Sequence, residues 1–139
     1  MLKIRQIDHL VLRVVDLRTM LEFYVNVIGC TLERVEEEIG LYQLRAGSSL
    51  IDLVPVAGRL GAMGGAAPGA EGRNLDHLCL RIEPFDADEI TRHLRSKGIT
   101  PGKVESRYGA EGQGPSIYVN DPEGNVVELK GPPWTAPKT

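Results

Sequence analysis

The heptapeptide DHLVLRV at residues 8–14 recurs as DHLCLRI at residues 76–82. Five of the seven positions are identical and the other two are conservative, so the chain of 139 residues contains an internal repeat. Because alternate side chains of a strand share a face, each copy predicts a strand with His and Arg on one face and aliphatic residues on the other. The aliphatic faces are the surfaces that helices would cover, and the faces with His and Arg would look into whatever the sheets enclose.

The residues that follow each copy predict a helix. In the first half, Asp16 is a good N-cap, and apolar residues recur at i, i+3, i+4 and i+7 over residues 17–28. Gly29 ends this pattern as a C-terminal cap. In the second half, a variant of the capping box begins the helix at Asp86, and Gly98 ends it.

Short β-rich runs complete each half of the chain. They are residues 31–37, 41–46 and 49–54 in the first half, and 103–107, 116–120 and 125–130 in the second. Each half is therefore predicted as βαβββ, and the fold class is α+β with two such modules. We interpret residues 1–139 as one domain, with module 1 at about 4–56, a linker at 57–73, module 2 at about 74–130 and a tail at 131–139. The Gly- and Ala-rich linker predicts a mobile loop or lid, and the Pro-rich tail predicts a course over the surface or across a partner.

The composition excludes several classes of protein. Hydrophobic residues make up 42% of the chain and charged residues 25%, as in a globular domain whose core needs no disulfide or metal staples. The net charge of −3 comes without a basic stripe, so we expect no nucleic-acid partner. No apolar run has the length of a bilayer span and no signal peptide is visible, so we expect no membrane partner. With only two cysteines, a reducing cytoplasm is the expected compartment.

Acidic residues in the last strand of each module match the histidines of the repeat. Asp52 and Glu128 each lie between two aliphatic residues. A pseudo-two-fold axis between the modules would bring both acids together with His9 and His77. Imidazole and carboxylate ligands suit zinc, nickel, cobalt, manganese or iron(II), whereas calcium and magnesium prefer all-oxygen cages. Without the repeat, each histidine would be interpreted as an ordinary structural residue.

Several motifs carry a family resemblance. They are Ile7-Asp8-His9, Phe23-Tyr24, Ile28-Gly29, Leu75-Asp76-His77, Asp121-Pro122-Glu123-Gly124-Asn125 and Val127-Glu128-Leu129. Through them the chain resembles the vicinal oxygen chelate superfamily, which includes glyoxalase I, fosfomycin and bleomycin resistance proteins, methylmalonyl-CoA epimerase and extradiol dioxygenases. The resemblance implies a half-open β-barrel whose cavity binds a divalent metal ion through His9, His77 and Glu128. The stretch from Gly98 to Tyr118 further resembles small bacterial members labelled virulence or glyoxalase-like proteins.

The same resemblance points to further site residues. Asp52 occupies the position of the fourth ligand, which is Glu in glyoxalase I. Because Asp is one methylene shorter, it would bind the metal directly or through water, act as a base, or not reach the metal at all. Arg13, Arg81 and Tyr118 are candidate substrate contacts, and glyoxalase I enzymes place an Arg at the position of Arg13 for glutathione. The alternative for both arginines is an ion pair at the rim.

The resemblance favours a glyoxalase-like lyase or isomerase acting on a small oxygenated metabolite. The metal would stabilise charge on an enolate or alkoxide, and Glu128 or Asp52 would move the proton. Val54, Pro55 and Val56 replace the polar residue that supports glutathione binding, which argues against glutathione as the substrate. The alternatives are an extradiol-type ring-cleaving dioxygenase using iron(II), whose relatives are usually longer, and a resistance protein that binds a small molecule without turnover. Relatives pair their protomers, so the resemblance also implies a homodimer.

Overall fold

The computed structural model describes residues 1–135, which form two compact units. The first unit ends at Asn74 and the second begins at Leu75. Each unit has the order strand, helix and three strands, so the α+β class with two βαβββ modules is confirmed. Among the described helices, none combines the length and the apolar character that a bilayer crossing needs.

The first unit is built on a four-stranded mixed sheet. Its elements are β1 (His9–Val14), α1 (Leu17–Glu22), a π-helical segment (Phe23–Ile28), β2 (Thr31–Glu36), a 3-10 turn (Glu37–Ile39), β3 (Leu41–Ala46), β4 (Ser49–Pro55) and α2 (Arg59–Ala62). The strand order is β1-β4-β3-β2, with β1 and β4 parallel and the other neighbours antiparallel. The parallel pair places the repeat strand directly beside the last strand of the module.

The second unit repeats this topology. Its elements are β5 (His77–Arg81), α3 (Ala87–Ser96), β6 (Glu105–Gly109), β7 (Gly112–Asn120) and β8 (Val126–Lys130). The strand order is β5-β8-β7-β6, again with a parallel pair, β5 and β8, followed by antiparallel neighbours. Within the described chain neither sheet closes on itself, because each keeps an edge strand on both sides.

The aliphatic face of each repeat strand is buried. Leu12 and Val14 of β1 are 0% exposed, and Leu78 of β5 is 5% exposed. Leu94 of α3 is also buried, so this helix turns an apolar residue towards the interior of its unit. The burial leaves the faces with His and Arg as the polar faces of the two sheets.

The first helix changes its winding halfway along. Asp16 caps it, because the Asp16 side chain accepts a hydrogen bond from the backbone N–H of Thr19 at 3.2 Å. From Phe23 to Ile28 the chain is π-helical, and Gly29 ends the segment with φ 98°. The predicted α-helix over residues 17–28 is therefore right in extent and wrong in its second half. The spacing of apolar residues does not reveal the i to i+5 hydrogen bonds of a π-turn.

The beginning of the glycine-rich linker is packed against β4 within the first unit. A Cβ on Gly61 would lie 1.9 Å from the carbonyl oxygen of Pro55, so only glycine allows α2 to approach β4 this closely. The guanidinium of Arg13 donates to three backbone carbonyl oxygens of the same segment. The acceptors are Gly61, Gly65 and Ala66, at 2.9, 2.6 and 3.0 Å. The composition of the segment does not indicate these contacts, because composition does not report hydrogen bonds to the backbone, and its role as a mobile loop or lid stays a prediction.

Three strands of the second unit begin elsewhere than predicted, and the smallest difference is in β8, which begins at Val126 rather than at residue 125. Strand β6 begins at Glu105 rather than at residue 103, and β7 begins at Gly112 rather than at residue 116. The sequence Gly-Gln-Gly-Pro at the start of β7 is typical of a turn, so the first four residues of this strand were not predicted as strand.

The described part of the tail lies along β7. The backbone N–H of Gly131 donates to the carbonyl oxygen of Pro115 at 2.8 Å. The indole N–H of Trp134 donates to the hydroxyl of Ser106 on β6 at 2.8 Å. The tail thus follows the surface of the second unit as far as residue 135, and residues 136–139 of the predicted tail lie outside the described residues.

Candidate functional site

The first unit places a histidine and a carboxylate on one face of its sheet. In the parallel pairing of β1 and β4, Val11 lies opposite Asp52, and His9 lies two residues before Val11 on the same face. Gln43 lies opposite Asp52 on β3, and its amide donates to both carboxylate oxygens at 3.4 and 3.3 Å. Since Asp52 is only 3% exposed, this amide holds a nearly buried carboxylate in place.

The imidazole of His9 is oriented by the preceding residue. Its Nδ1 lies 2.7 Å from Oδ1 of Asp8. This hydrogen bond, with a smaller contribution from the charge of Asp52, raises the pKa of His9 above its ordinary value. A histidine whose Nδ1 is engaged by a carboxylate presents Nε2 to a further partner, which is the usual arrangement of a metal-ligating histidine.

The second unit has the same arrangement around His77. Nδ1 of His77 lies 2.6 Å from Oδ2 of Asp76, and Nε2 lies 3.4 Å from Oε1 of Glu128. Glu128 is 5% exposed and lies on β8, directly opposite Cys79 in the parallel pairing with β5. The structure therefore brings His77 and Glu128 together within this unit.

Tyr118 lies beside both members of this pair. It is opposite Glu128 on β7, and its ring meets that of His77 edge to face with centroids 5.6 Å apart. The guanidinium of Arg107 lies over the Tyr118 ring, 4.1 Å from its centroid. Partial burial, together with the nearby charge of Glu128, raises the pKa of the Tyr118 phenol. The phenol is therefore protonated at neutral pH and can donate a hydrogen bond to Glu128.

Cys79 is not the core residue that its small apolar side chain suggests. It lies on the polar face of β5 and keeps part of its surface exposed. Partial burial of the thiol, followed by the charge of Glu128 and a hydrogen bond to it, raises the pKa of Cys79 to about 11. The thiol is thus a protonated neighbour of Glu128 at neutral pH and a poor nucleophile.

Both candidate substrate arginines have partners within the protein. Arg13 binds the carbonyl oxygens of the linker described above. Arg81 donates from Nε to Glu111 at 2.7 Å and from Nη1 to the carbonyl oxygen of Ile82 at 2.8 Å. These contacts agree with the ion-pair interpretation of Arg81, and a substrate role for either arginine stays a prediction.

Four residues that complete these surroundings were not predicted as site residues from the sequence. They are Asp8, Gln43, Asp76 and Arg107. The two aspartates had a signal, because Asp precedes His in both copies of the repeat. Gln43 and Arg107 become neighbours of the site only through antiparallel pairing, whose register the hydrophobic pattern does not specify for a half-polar strand.

The donor set fits a divalent transition metal ion. Each unit contributes an imidazole with its Nδ1 fixed by an Asp, and a carboxylate on the same face. Within the described residues, no group of three or more His, Cys, Asp or Glu side chains is placed to hold a metal ion by itself. The convergence of the two pairs, His9 with Asp52 and His77 with Glu128, on one ion stays a prediction.

Known proteins share the sequence pattern of both units. The family model described as Glyoxalase/Bleomycin resistance protein/Dioxygenase superfamily matches residues 6–129. Virulence protein STM3117 of Salmonella typhimurium is 30% identical over 133 residues, an alignment that covers 91% of this chain and 83% of that protein. Glyoxalase domain-containing protein RDO1 of Mycosarcoma maydis is 32% identical over 140 residues, covering 92% of this chain and 69% of that protein.

Solved structures share the fold. The crystal structure of STM3117 matches with a TM-score of 0.79 at 27% identity and covers 94% of this chain and 99% of that one. TnmS3, an antibiotic binding protein from Streptomyces sp. CB03234, matches with a TM-score of 0.67 at 20% identity and covers 95% and 99% of the two chains. At the identity of TnmS3, the likeness concerns the fold alone.

Proposed function

Because this chain belongs to the glyoxalase/bleomycin resistance protein/dioxygenase superfamily, we propose that it is a divalent-metal-dependent lyase or isomerase of the glyoxalase type. Its substrate is a small oxygenated metabolite with two adjacent oxygen atoms. The observation that carries the proposal is a pair present in both units, in which an Asp-oriented histidine shares a sheet face with a carboxylate.

The proposed metal ligands are the two histidines and Glu128, with Asp52 as the fourth. A divalent ion bound there would act as a Lewis acid on the adjacent oxygens of the substrate. Zinc, nickel, cobalt, manganese and iron(II) all accept this set of nitrogen and oxygen donors. The carboxylates of Asp8 and Asp76 keep each imidazole in the tautomer that offers Nε2.

Glu128 is the residue that we assign to proton transfer. Its carboxylate is almost fully buried, lies 3.4 Å from Nε2 of His77, and is flanked across the sheet by Tyr118 on β7 and Cys79 on β5. A buried carboxylate fixed by its neighbours in this way takes up a proton at a defined place and returns it from there. Asp52, fixed by Gln43, is the second carboxylate available for this step.

Elemental analysis of the purified full chain tests the metal requirement. We expect a divalent transition metal in the wild-type protein, loss of that metal in His77→Ala and Glu128→Gln, and no loss in the control Glu38→Gln, whose side chain is exposed. Turnover of compounds with two adjacent oxygens should disappear with a chelator and return when the metal is added back. A wild-type protein that neither contains nor takes up a transition metal would overturn the proposal.

Binding without turnover is the second candidate function. The observation that favours it is the fold shared with TnmS3, an antibiotic binding protein. A binding protein of this kind would saturate with its ligand, release no product and keep its affinity after chelation. Oxygen consumption with a catechol would instead indicate a ring-cleaving dioxygenase that uses iron(II).

The compartment, oligomeric state and partners of the protein are also proposals. We place it in the cytoplasm as a homodimer that acts on a small molecule and binds neither nucleic acid nor membrane. Cys30 and Cys79 are both free, which agrees with a reducing compartment.

A further inference from the structure

The polar face of the second sheet carries three cations that the proposed metal site does not use. Arg81 on β5 lies opposite Lys130 on β8, and Ser116 on β7 lies opposite Lys130 on its other side. Arg107 on β6 reaches the same place, because its Nη1 donates to the hydroxyl of Ser116 at 2.6 Å. Two arginines and one lysine therefore lie at one end of this face.

Both arginines are matched by carboxylates. Arg81 lies 2.7 Å from Oε1 of Glu111 and 3.9 Å from Oε2 of Glu83. Arg107 lies 3.0 Å from Oε2 of Glu105. The positive charges of these two side chains are thus balanced within the unit, and neither demands an external anion.

Lys130 differs from the arginines in burial and in partners. It is only 5% exposed, yet among the described residues no carboxylate lies within ion-pairing distance of its ammonium group. Two glycines make room for its side chain. A Cβ on Gly109 would lie 2.8 Å from Cε of Lys130, and a Cβ on Gly114 would lie 3.0 Å from Nζ.

Lys130 is buried along most of its side chain, so its ammonium group keeps only part of its hydration, which is costly without a counter-charge. An oxyanion removes this cost by forming charge-assisted hydrogen bonds with the three ammonium protons. The arrangement is therefore suited to a ligand that brings its own negative charge.

We propose that Lys130 is the centre of an oxyanion subsite that binds a carboxylate or phosphate group of the ligand. Glu128 and Lys130 are two residues apart in one strand, so their side chains lie on the same face and their Cα atoms are about 6.6 Å apart. A ligand that approaches the metal site through its adjacent oxygens can thus reach Lys130 with an acidic group a few bonds away. Assigning that acidic group to the substrate rests on the proposed function, whereas the binding of an oxyanion does not.

Calorimetric titration of the full chain tests the subsite. The probes are inorganic phosphate and, separately, acetate, at constant ionic strength and after treatment with a chelator so that no metal contributes to binding. The variants are Lys130→Met, Lys130→Arg and the matched control Lys97→Met, whose lysine is exposed at the end of α3. We expect saturable binding of a probe by the wild type and a weakening of roughly 10- to 100-fold in Lys130→Met, the effect of a lost charge-assisted hydrogen bond.

Lys130→Arg should keep most of the affinity, and Lys97→Met should bind as the wild type does. Tighter binding of phosphate would identify a phosphorylated ligand, and tighter binding of acetate would identify a carboxylic acid. If Lys130→Met does not fold, Lys130→Gln and the shift of the Nζ resonance of wild-type Lys130 on addition of each probe give the same answer. Wild-type protein that binds neither probe, or Lys130→Met that binds as tightly as wild type, would overturn the subsite.

The metal content of the same preparations separates this proposal from the proposed function. Loss of oxyanion binding in Lys130→Met with no metal uptake by the wild type would overturn the metal-dependent function and support the subsite. Normal metal uptake with unchanged oxyanion binding in Lys130→Met would overturn the subsite alone.

Discussion

Among the described residues, His77 has carboxylates near both of its ring nitrogens, whereas His9 has a carboxylate contact on one. Glu128 comes within 3.4 Å of His77 Nε2, but Asp52 acts on His9 only through its charge. The difference has a simple origin, because the side chain of Asp is one methylene shorter than that of Glu. The two pairs are therefore related by the repeat without being equivalent in reach.

Asp52 is the residue where this difference can be tested. We expect Asp52→Ala to weaken metal binding by roughly 10- to 100-fold, as losses around metal sites typically do, and Asp52→Glu to keep or strengthen it. Metal affinity and turnover should both be measured, with Asp88→Ala, an exposed residue of α3, as the control. An Asp52→Ala variant with unchanged metal affinity and unchanged activity would show that only three protein ligands matter.

The pKa of His9, and with it the pH dependence of metal binding, should depend on Asp8. The hydrogen bond that His9 donates to Asp8 raises the pKa of His9, so its contribution to stability is present below the unfolded-state pKa and is lost as the pH rises through the folded-state pKa. We expect Asp8→Asn to lower the pKa of His9, as measured by NMR titration of its Cε1 proton in the metal-free protein. Metal binding needs the neutral imidazole, so the pH at which acid abolishes metal binding should be lower in the same variant. A pKa unchanged by Asp8→Asn would contradict this account.

Much of the candidate site follows from the repeat, and the rest depends on strand register. The histidines and the two strand acids are visible in the sequence, because duplication puts like residues at like places. Lys130 is also visible, but its burial depends on Gly109 and Gly114, which come beside it only when β6, β7 and β8 pair. Cross-strand neighbours of this kind cannot be derived from the period of a single strand.

The caps and the apolar spacing predict where the helices lie but not how each helix is wound. Asp16 and Gly29 fix the two ends of the first helix, and the π-turn between them appears only in the hydrogen bonds. Strand β7 is longer than predicted. Its first residues include glycine and proline, which are typical of a turn, but the tail lies along these residues and hydrogen-bonds to them. Local composition is thus a good guide to ends and a weak guide to elements that depend on a neighbour.

The contact of α2 with β4 leads to a prediction on stability. Gly61→Ala would place a Cβ 1.9 Å from the carbonyl oxygen of Pro55, and the backbone would have to move. We expect a loss of about 1–3 kcal/mol in the free energy of unfolding, the usual range for overpacking, measured by urea denaturation. The control is Gly69→Ala in the same linker, where a Cβ meets nothing within 4 Å. Equal stability of the two variants would show that α2 moves away from β4 without cost.

Each of the two units carries half of the proposed ligand set. The first ends at Asn74 and contributes His9 and Asp52, and the second contributes His77 and Glu128. The division explains why a single βαβββ unit offers no group of three donors among its described residues. The repeat predicts this division directly, since both halves begin with the same heptapeptide.

A homodimer is the assembly that we predict for the chain. Leu2, Ile4 and Ile7 are 92%, 91% and 76% exposed, and exposed apolar side chains so close together in sequence favour an interface. Sedimentation equilibrium at high micromolar concentration should give a dimer, and the double variant Leu2→Ser/Ile4→Ser should weaken it. Met63→Ser, at another exposed apolar residue, is the control. A monomer of wild-type protein under these conditions would contradict the prediction.

Arg13 anchors the linker through backbone hydrogen bonds, which leaves the side chains of this segment free to vary. Its hydrogen bonds go to main-chain oxygens, which every amino acid possesses, so Ala62, Met63 and Ala66 can be exchanged without loss of the anchor. Gly64 is different, because a Cβ there would lie 2.4 Å from Nε of Arg13. A library that randomises these three exposed positions and keeps the glycines would therefore alter the chemistry of the segment while its path stays the same.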